Sequence, residues 1–378
     1  MAKSFKEAVD KIKPLLTEEI FKIPIEQKGN NSFPVFLKQE LNNYIENIKK
    51  SINTIINNTV DFDTANKDVV LNKIIFLSDS LIDVLNHYYE GKIFEATKKF
   101  NDTLDEILYS ELKNFSPVPL GEVFYRARKD NDKHLNKEDL FHIKFEDRVF
   151  VSTNRYSIPG FPALYLGEST YVCWEEYSRY NHRKLWYSKV ESTEHLKVIS
   201  IQRLEDFLEE IEPIFLEFQL SFILRYLITF PLSIACSVKV KNTNASFKPE
   251  YIIPQLLLQY VSKYSTIDGI KFPSTKINYN KLKGIPSYNY VFPVKTNKEK
   301  GFCDFLLNSF SITEPTSIEV EEVINNPYKI NSVFGSIQYD KEKYFELING
   351  VQTLYDSSSF GKIEKILNTR ELNKITNT

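Results

Sequence analysis

The sequence predicts an α+β fold with an N-terminal helical domain, on three observations. Up to about residue 115, apolar side chains recur at three- and four-residue spacing, the period of a helix with one buried face. Beyond that point short runs rich in β-branched and aromatic residues take over. These runs mix with helical patterns without strict alternation, which points away from a doubly wound parallel sheet. With 378 residues, 42% hydrophobic and 14% aromatic, the chain has material for more than one core.

In chain order, Leu37, Leu41, Ile45, Ile48, Ile52 and Ile55 mark the first helix. Thr64 is placed to cap a second, which carries Val69, Ile74, Leu77, Leu81 and Leu85. A third follows Gly91 through Ile93, Phe100, Leu104, Ile107 and Leu112. With one apolar face each, the three can form a small bundle. Residues 1–115 hold no catalytic cluster, and their amphipathic faces suggest self-association, as in a homo-oligomer, or regulation. Two prolines and a glycine in NFSPVPLGEVFYRARKD place a boundary at 115–120. Strands are expected at 123–125, 148–151, 163–166 and 197–201, and helix at 170–180 and 204–228. Further strands are expected at 234–240 and 269–272. From residue 312 the chain turns polar and mixed, and NTRELNKITNT is expected to fray. The expected division is a helical domain at 1–115, a mixed α+β domain at 116–310 and a C-terminal extension at 311–378.

Charge and composition narrow the function. Lys plus Arg number 48 against 50 Asp plus Glu, which gives no global reason to bind nucleic acid or an anionic membrane. Cys173, Cys236 and Cys303 are odd in number and far apart, the wrong arithmetic for a disulfide framework. The charged N-terminus lacks the apolar core of a signal peptide. The stretch 218–236 approaches the length of a membrane span, but Gln219 and Arg225 lie inside it and Pro231 interrupts it. A central Arg costs about 2.5–3.5 kcal/mol in a spanning helix, so a buried helix running into a strand is the better reading, and a cytoplasmic location follows. The five histidines show no metal-ligand spacing, and neither GxGxxG nor GxxxxGK[ST] occurs, so no metal and no bound cofactor are expected.

Four segments gather arginine, aromatics, a carboxylate and small polar residues. The first is Phe124-Tyr125-Arg126-Ala127-Arg128, where strand alternation puts both arginines on one face. Next comes Thr153-Asn154-Arg155-Tyr156-Ser157-Ile158-Pro159-Gly160, a turn-rich loop. The third runs from Leu164-Tyr165 to Glu175-Glu176, and the fourth is Pro273-Ser274-Thr275. Glu175 and Glu176 would point about 100° apart on a helix, so only one can face a site. Each residue taken singly also fits a plain packing or surface role. Cys173, with no histidine motif to activate it, reads as a buried thiol.

In this order the segments resemble the RES domain, a family named for an arginine, a glutamate and a serine. Its pattern is an early YR strand, an arginine–aromatic loop ending in Pro-Gly, LY with a glutamate eleven residues beyond the tyrosine, and a late PS. Those positions are Tyr125-Arg126, Arg155-Tyr156 with Pro159-Gly160, Leu164-Tyr165 with Glu176, and Pro273-Ser274. The match covers roughly residues 120–294. The resemblance implies an ADP-ribosyltransferase-like core with a mixed or antiparallel sheet, NAD⁺ as substrate, toxicity through NAD⁺ loss, and a separately encoded neutralising partner (an antitoxin). It assigns Glu176 and Arg126 to catalysis, and Arg126, Arg155, Tyr156, Tyr165 and Ser274 to substrate binding. Tyr125, Arg128, Glu175 and Thr275 stand beside them as secondary candidates. The loop departs from the pattern, with Thr153-Asn154 in place of Gly-Gly and Tyr156 in place of Trp. Arginine suits a diphosphate, tyrosine offers a flat face and a hydroxyl, and a carboxylate steadies an oxocarbenium-like ribose. The acceptor stays open: water, inorganic phosphate as co-substrate, or a macromolecule in ADP-ribosyl transfer. A non-catalytic interaction module on the same fold is the remaining alternative.

Overall fold

The structure, a computed structural model, describes residues 19–57, 67–111, 116–129, 133–214, 216–324 and 342–377. The expected cap Thr64 and the last helical position, Leu112, lie outside them. Helices α1 (Phe33–Asn57), α2 (Lys67–Tyr89) and α3 (Ile93–Glu111) precede strands β1 (Ser116–Val118) and β2 (Val123–Lys129). A long loop leads to β3 (Ala163–Gly167), the short helix α4 (Thr170–Glu176), and strands β4 (Leu185–Ser192) and β5 (Leu196–Ser200). Helices α5 (Leu204–Ile211), α6 (Leu216–Cys236) and α7 (Ile252–Lys263) follow. Strands β6 (Gly269–Pro273), β7 (Leu282–Lys283) and β8 (Tyr288–Pro293) come next, then α8 (Asp304–Ser309), β9 (Phe310–Thr313), β10 (Thr316–Ser317) and α9 (Ile318–Ile324). The chain closes with β11 (Tyr344–Ile348), β12 (Val351–Leu354), α10 (Ser359–Asn368) and β13 (Leu372–Asn373).

These elements fall into two compact units, 1–115 with 201–260, and 116–200 with 261–378. Residues 201–260, which the sequence reading set inside 116–310, therefore pack with the N-terminal helices. In that first unit Leu41, Tyr44, Ile74, Leu81, Leu104 and Phe230 are sealed from solvent, each on the apolar face of its helix. The expected single helix 204–228 is two, α5 and α6, with Pro213 between them. Helix α6 then continues through Pro231 to Cys236, and the strand expected at 234–240 shrinks to one bridge between Val238 and Ile25. Proline has no N–H to give the carbonyl four residues back, that of Leu227. Tyr44 supplies the missing donor from α1, its hydroxyl reaching Leu227 O at 2.7 Å. Among the described residues no helix is long and apolar enough to cross a membrane.

The second unit is built on a mixed sheet in the order β1-β5-β6-β8-β3-β2-β4-β9-β13, with β10 on β4. Strands β5 and β6 run parallel, and the other pairs are antiparallel. Phe124, Leu166, Tyr290, Phe292 and Phe310 fill one face as part of the largest core cluster of this unit. Tyr125, Ala127 and Tyr187 line the opposite face, against Cys173 of α4 and Ile363 and Leu367 of α10. Strand β3 pairs with β8 along its whole length, and β2 with β4 likewise. Between themselves β2 and β3 meet only at Tyr125 and Gly167. The sheet therefore parts between β2 and β3 just where Arg126 stands.

Two further expectations change. The run 148–151 belongs to a 3₁₀ segment, Phe145–Phe150, and not to a strand. Phe145 is held by its N–H to Gly301 O at 3.0 Å, and i→i+3 bonds such as Asp147 N–H to Lys144 O take the place of a ladder. The terminal segment expected to fray is tied down instead. Strand β13 pairs with β9, Ile375 is buried, and the Asn377 side chain bonds both the N–H (2.7 Å) and the carbonyl (3.1 Å) of Phe302.

Candidate active site

Glu176 is the last residue of α4, a helix capped by Ser169, whose Oγ accepts from Val172 N–H. The helix stops short of the expected residue 180 because Ser178 (φ 53°) and Arg179 (φ 57°) adopt left-handed backbone. The Lys276 ammonium fastens this turn, donating to Glu176 O and, at 3.2 Å, to Ser178 Oγ. On the carboxylate itself, Oε1 accepts from Ser274 Oγ at 2.6 Å and from Asn289 Nδ2 at 2.8 Å. Oε2 stands 3.8 Å from Lys276 Nζ, and the Glu176 side chain keeps 37% of its surface exposed. Glu175 points elsewhere, into a two-pronged ion pair with Arg179 at 3.0 Å per prong, and is 2% exposed. The neighbouring glutamates thus separate as helical geometry requires.

Arg126 lies at the parting of β2 and β3, and its Nη1 donates to the carbonyl of Tyr165 at 2.7 Å. Its Nε is sealed from solvent with no hydrogen-bond partner, and among the described residues it has no ion pair. Burial pushes the guanidinium below its ordinary value, opposed mainly by the Tyr177 hydroxyl. Ser188, directly across from Arg126 on β4, is also fully buried, with an unpartnered Oγ. A cation whose Nε is sealed from solvent, beside a buried unpartnered hydroxyl, is a costly arrangement. An anionic or polar ligand would relieve it.

The Tyr165 hydroxyl donates to Tyr156 O at 2.6 Å, and burial raises its phenol. Next to Tyr156, Arg155 donates from Nη2 to Thr275 Oγ1 at 3.2 Å. Thr275 adjoins Ser274, and Ser274 meets Glu176. Arg126, Tyr165, Tyr156, Arg155, Thr275, Ser274 and Glu176 therefore form one continuous chain of bonded neighbours. Within it Tyr156 (1% exposed, its ring 4.2 Å from that of Phe272) and Ser274 (0%) are buried, so they shape the site from behind. The Ser274 proton is directed at Glu176 and orients that carboxylate.

Other candidates face away. Tyr125 is buried against Cys173 and α10, and Arg128 donates to Asp139 O in the following loop. Cys173 is buried, its Sγ donating to Tyr125 O at 3.3 Å, and burial pushes its thiol up to about 12, which disqualifies it as a nucleophile at neutral pH. Asn289 and Lys276 escaped the sequence reading. Asn289 did leave a signal, as the one amide in the otherwise apolar run Tyr288–Pro293.

Fold and site together define an α+β protein whose mixed sheet parts over an unpaired arginine, with a positioned, half-open carboxylate near the opening. No family model matches the chain, and no solved structure matches it. Over 326 residues, 82% of this chain and 71% of the relative, it is 32% identical to the "Putative toxin YopC" of Bacillus subtilis (strain 168). The chain belongs to the family of that protein.

Proposed function

We propose that the chain is a toxin enzyme with an ADP-ribosyltransferase-like core that degrades NAD⁺ at its nicotinamide–ribose bond. The observation that carries this reading is the bonded chain from Arg126 to Glu176, which has an unpaired cation at one end and an oriented, accessible carboxylate at the other. NAD⁺ offers a matching pair, a diphosphate and a ribose that becomes positive as the bond breaks. Arg126, with Arg155 further along the same bonded chain, binds the diphosphate through charge-assisted bonds. The C1–N bond breaks with its electron pair going to nicotinamide, which leaves neutral. Glu176 steadies the positive charge that develops at C1. An oxygen of water or phosphate then bonds to C1, and its proton passes to solvent. The relative's name supports a toxin role, and with it a separately encoded antitoxin as partner.

The deciding experiment is incubation of purified protein with NAD⁺, with and without inorganic phosphate, followed by chromatography. Nicotinamide with ADP-ribose means hydrolysis, and nicotinamide with ADP-ribose 1″-phosphate means phosphorolysis. Label passing from NAD⁺ to a macromolecule would replace this reading with ADP-ribosyl transfer. NAD⁺ that survives a large excess of enzyme would end it.

A further inference from the structure

The C-terminal segment reaches the helix that carries Glu176. Thr170, the first residue of α4, gives both its N–H (2.7 Å) and its hydroxyl (3.0 Å) to Glu364 Oε1 of α10. Tyr355, itself buried, donates to the same oxygen at 2.5 Å. Tyr171 and Trp174, further along α4, pack against Phe360 of α10 with ring centroids 5.5 and 5.3 Å apart. Helix α4 is only seven residues long, under two turns, and an isolated helix of that length does not hold its shape. Its place is set by what grips its ends. Glu364 grips the first, and the second delivers Glu176 to Ser274 and Asn289.

We propose that Glu364 is a positioning residue for Glu176: by anchoring the start of α4 it sets where that carboxylate stands. The C-terminal helix is then a working part of the site, although it lies outside the span of the RES-like motifs. The kinetic side of this inference rests on the NAD⁺ reading, and the structural side does not. A displacement of about 1 Å at a reacting group is enough to cost about a hundredfold in rate. Around Glu364 stand Tyr355 and Asp356, whose charge raises it further, with Lys365 turned to Asp356 at 3.9 Å. Tyr125 of β2, Cys173 of α4 and Tyr187 of β4 also feel its charge. Burial outweighs the three donors and lifts Glu364 to about 7, so its proton comes and goes near neutrality.

The test uses the full chain carrying Trp186→Phe, which leaves Trp174 of α4 as the sole tryptophan. Glu364→Ala is expected to lower kcat for nicotinamide release by about tenfold or more and to move KM by less than about threefold. Glu364→Gln keeps the accepting oxygen but cannot titrate. It should restore most of kcat at pH 6 and abolish a Trp174 emission change centred near pH 7 in the parent. Unchanged kcat in Glu364→Ala, or Trp174 emission that Glu364→Ala leaves unchanged at fixed pH, would overturn the inference. If the parent releases no nicotinamide, the NAD⁺ reading has failed on its own, and Trp174 emission of Glu364→Ala at fixed pH still decides whether Glu364 holds α4.

Discussion

A carboxylate that steadies positive charge on a sugar has to be ionised, oriented and open on one side. Glu176 meets the last two conditions through Ser274 and Asn289 on Oε1 and 37% side-chain exposure. At about 4 Å and an effective dielectric near 20 such a charge contributes roughly 4 kcal/mol, about a thousandfold in rate. Glu176→Gln keeps an oxygen for both donors, so kcat for nicotinamide release should fall about a thousandfold with the melting temperature nearly unchanged. Turnover like the wild type would show that the carboxylate is the wrong one. On the NAD⁺ reading Arg126, a cation with no ion pair among the described residues, takes the diphosphate. Arg126→Met removes that desolvated cation, so calorimetry should show NAD⁺ bound about 10–100-fold more weakly, while stability to urea does not fall. A large loss of stability would mark Arg126 as structural. At this scale the sequence singled out Arg126, Tyr165 and Glu176 by type and spacing, and the structure links the three through one chain of bonded neighbours. It was silent about Glu364, because a carboxylate that grips a helix from 194 positions away leaves no local pattern.

Elements were legible wherever periodicity had one partner to serve. The N-terminal helices and the strands β2, β3, β5 and β6 fall close to where spacing and β-rich runs put them. The misplaced elements share a cause, which is a long-range partner overriding a local signal. Pro231 reads as a helix end, yet α6 runs through it because the Tyr44 hydroxyl satisfies Leu227 O. That gives a test confined to the first unit. Tyr44→Phe leaves the Leu227 carbonyl buried and unpaired, at a cost of about 1–3 kcal/mol by chemical denaturation. Pro231→Ala restores a backbone N–H for that same carbonyl. In the double variant the loss should therefore be much smaller than the sum of the single effects. Simple additivity would mean that the hydroxyl does not stand in for the missing N–H.

At the scale of the whole molecule the sequence announced the kind of fold but not its division. Residues 201–260 join the N-terminal helices, and nothing in their composition says so. Nor does sequence show how the second unit answers to pH, because that depends on burial. Burial pushes His142 and His182 down to about 4 and lifts Glu364 to about 7. Between pH 4 and 6.5 the unfolded chain takes up protons on both histidines that the folded one refuses, so their contribution rises with pH. Glu364 acts the other way: between pH 4.5 and 7 the folded chain keeps a proton that the unfolded chain releases, so stability falls as pH rises. At about 1.4 kcal/mol per pKa unit each group carries on the order of 3 kcal/mol. Two histidines outweigh one glutamate, so stability should climb from pH 4, peak near pH 6.5 and decline slightly towards pH 7. Glu364→Gln removes the opposing contribution, which steepens the climb and abolishes the decline. Both tryptophans, Trp174 and Trp186, lie in the second unit, so urea unfolding followed by their emission is read from that unit. Identical pH profiles for wild type and Glu364→Gln would mean that Glu364 is ionised throughout, and that the three donors around it outweigh its burial.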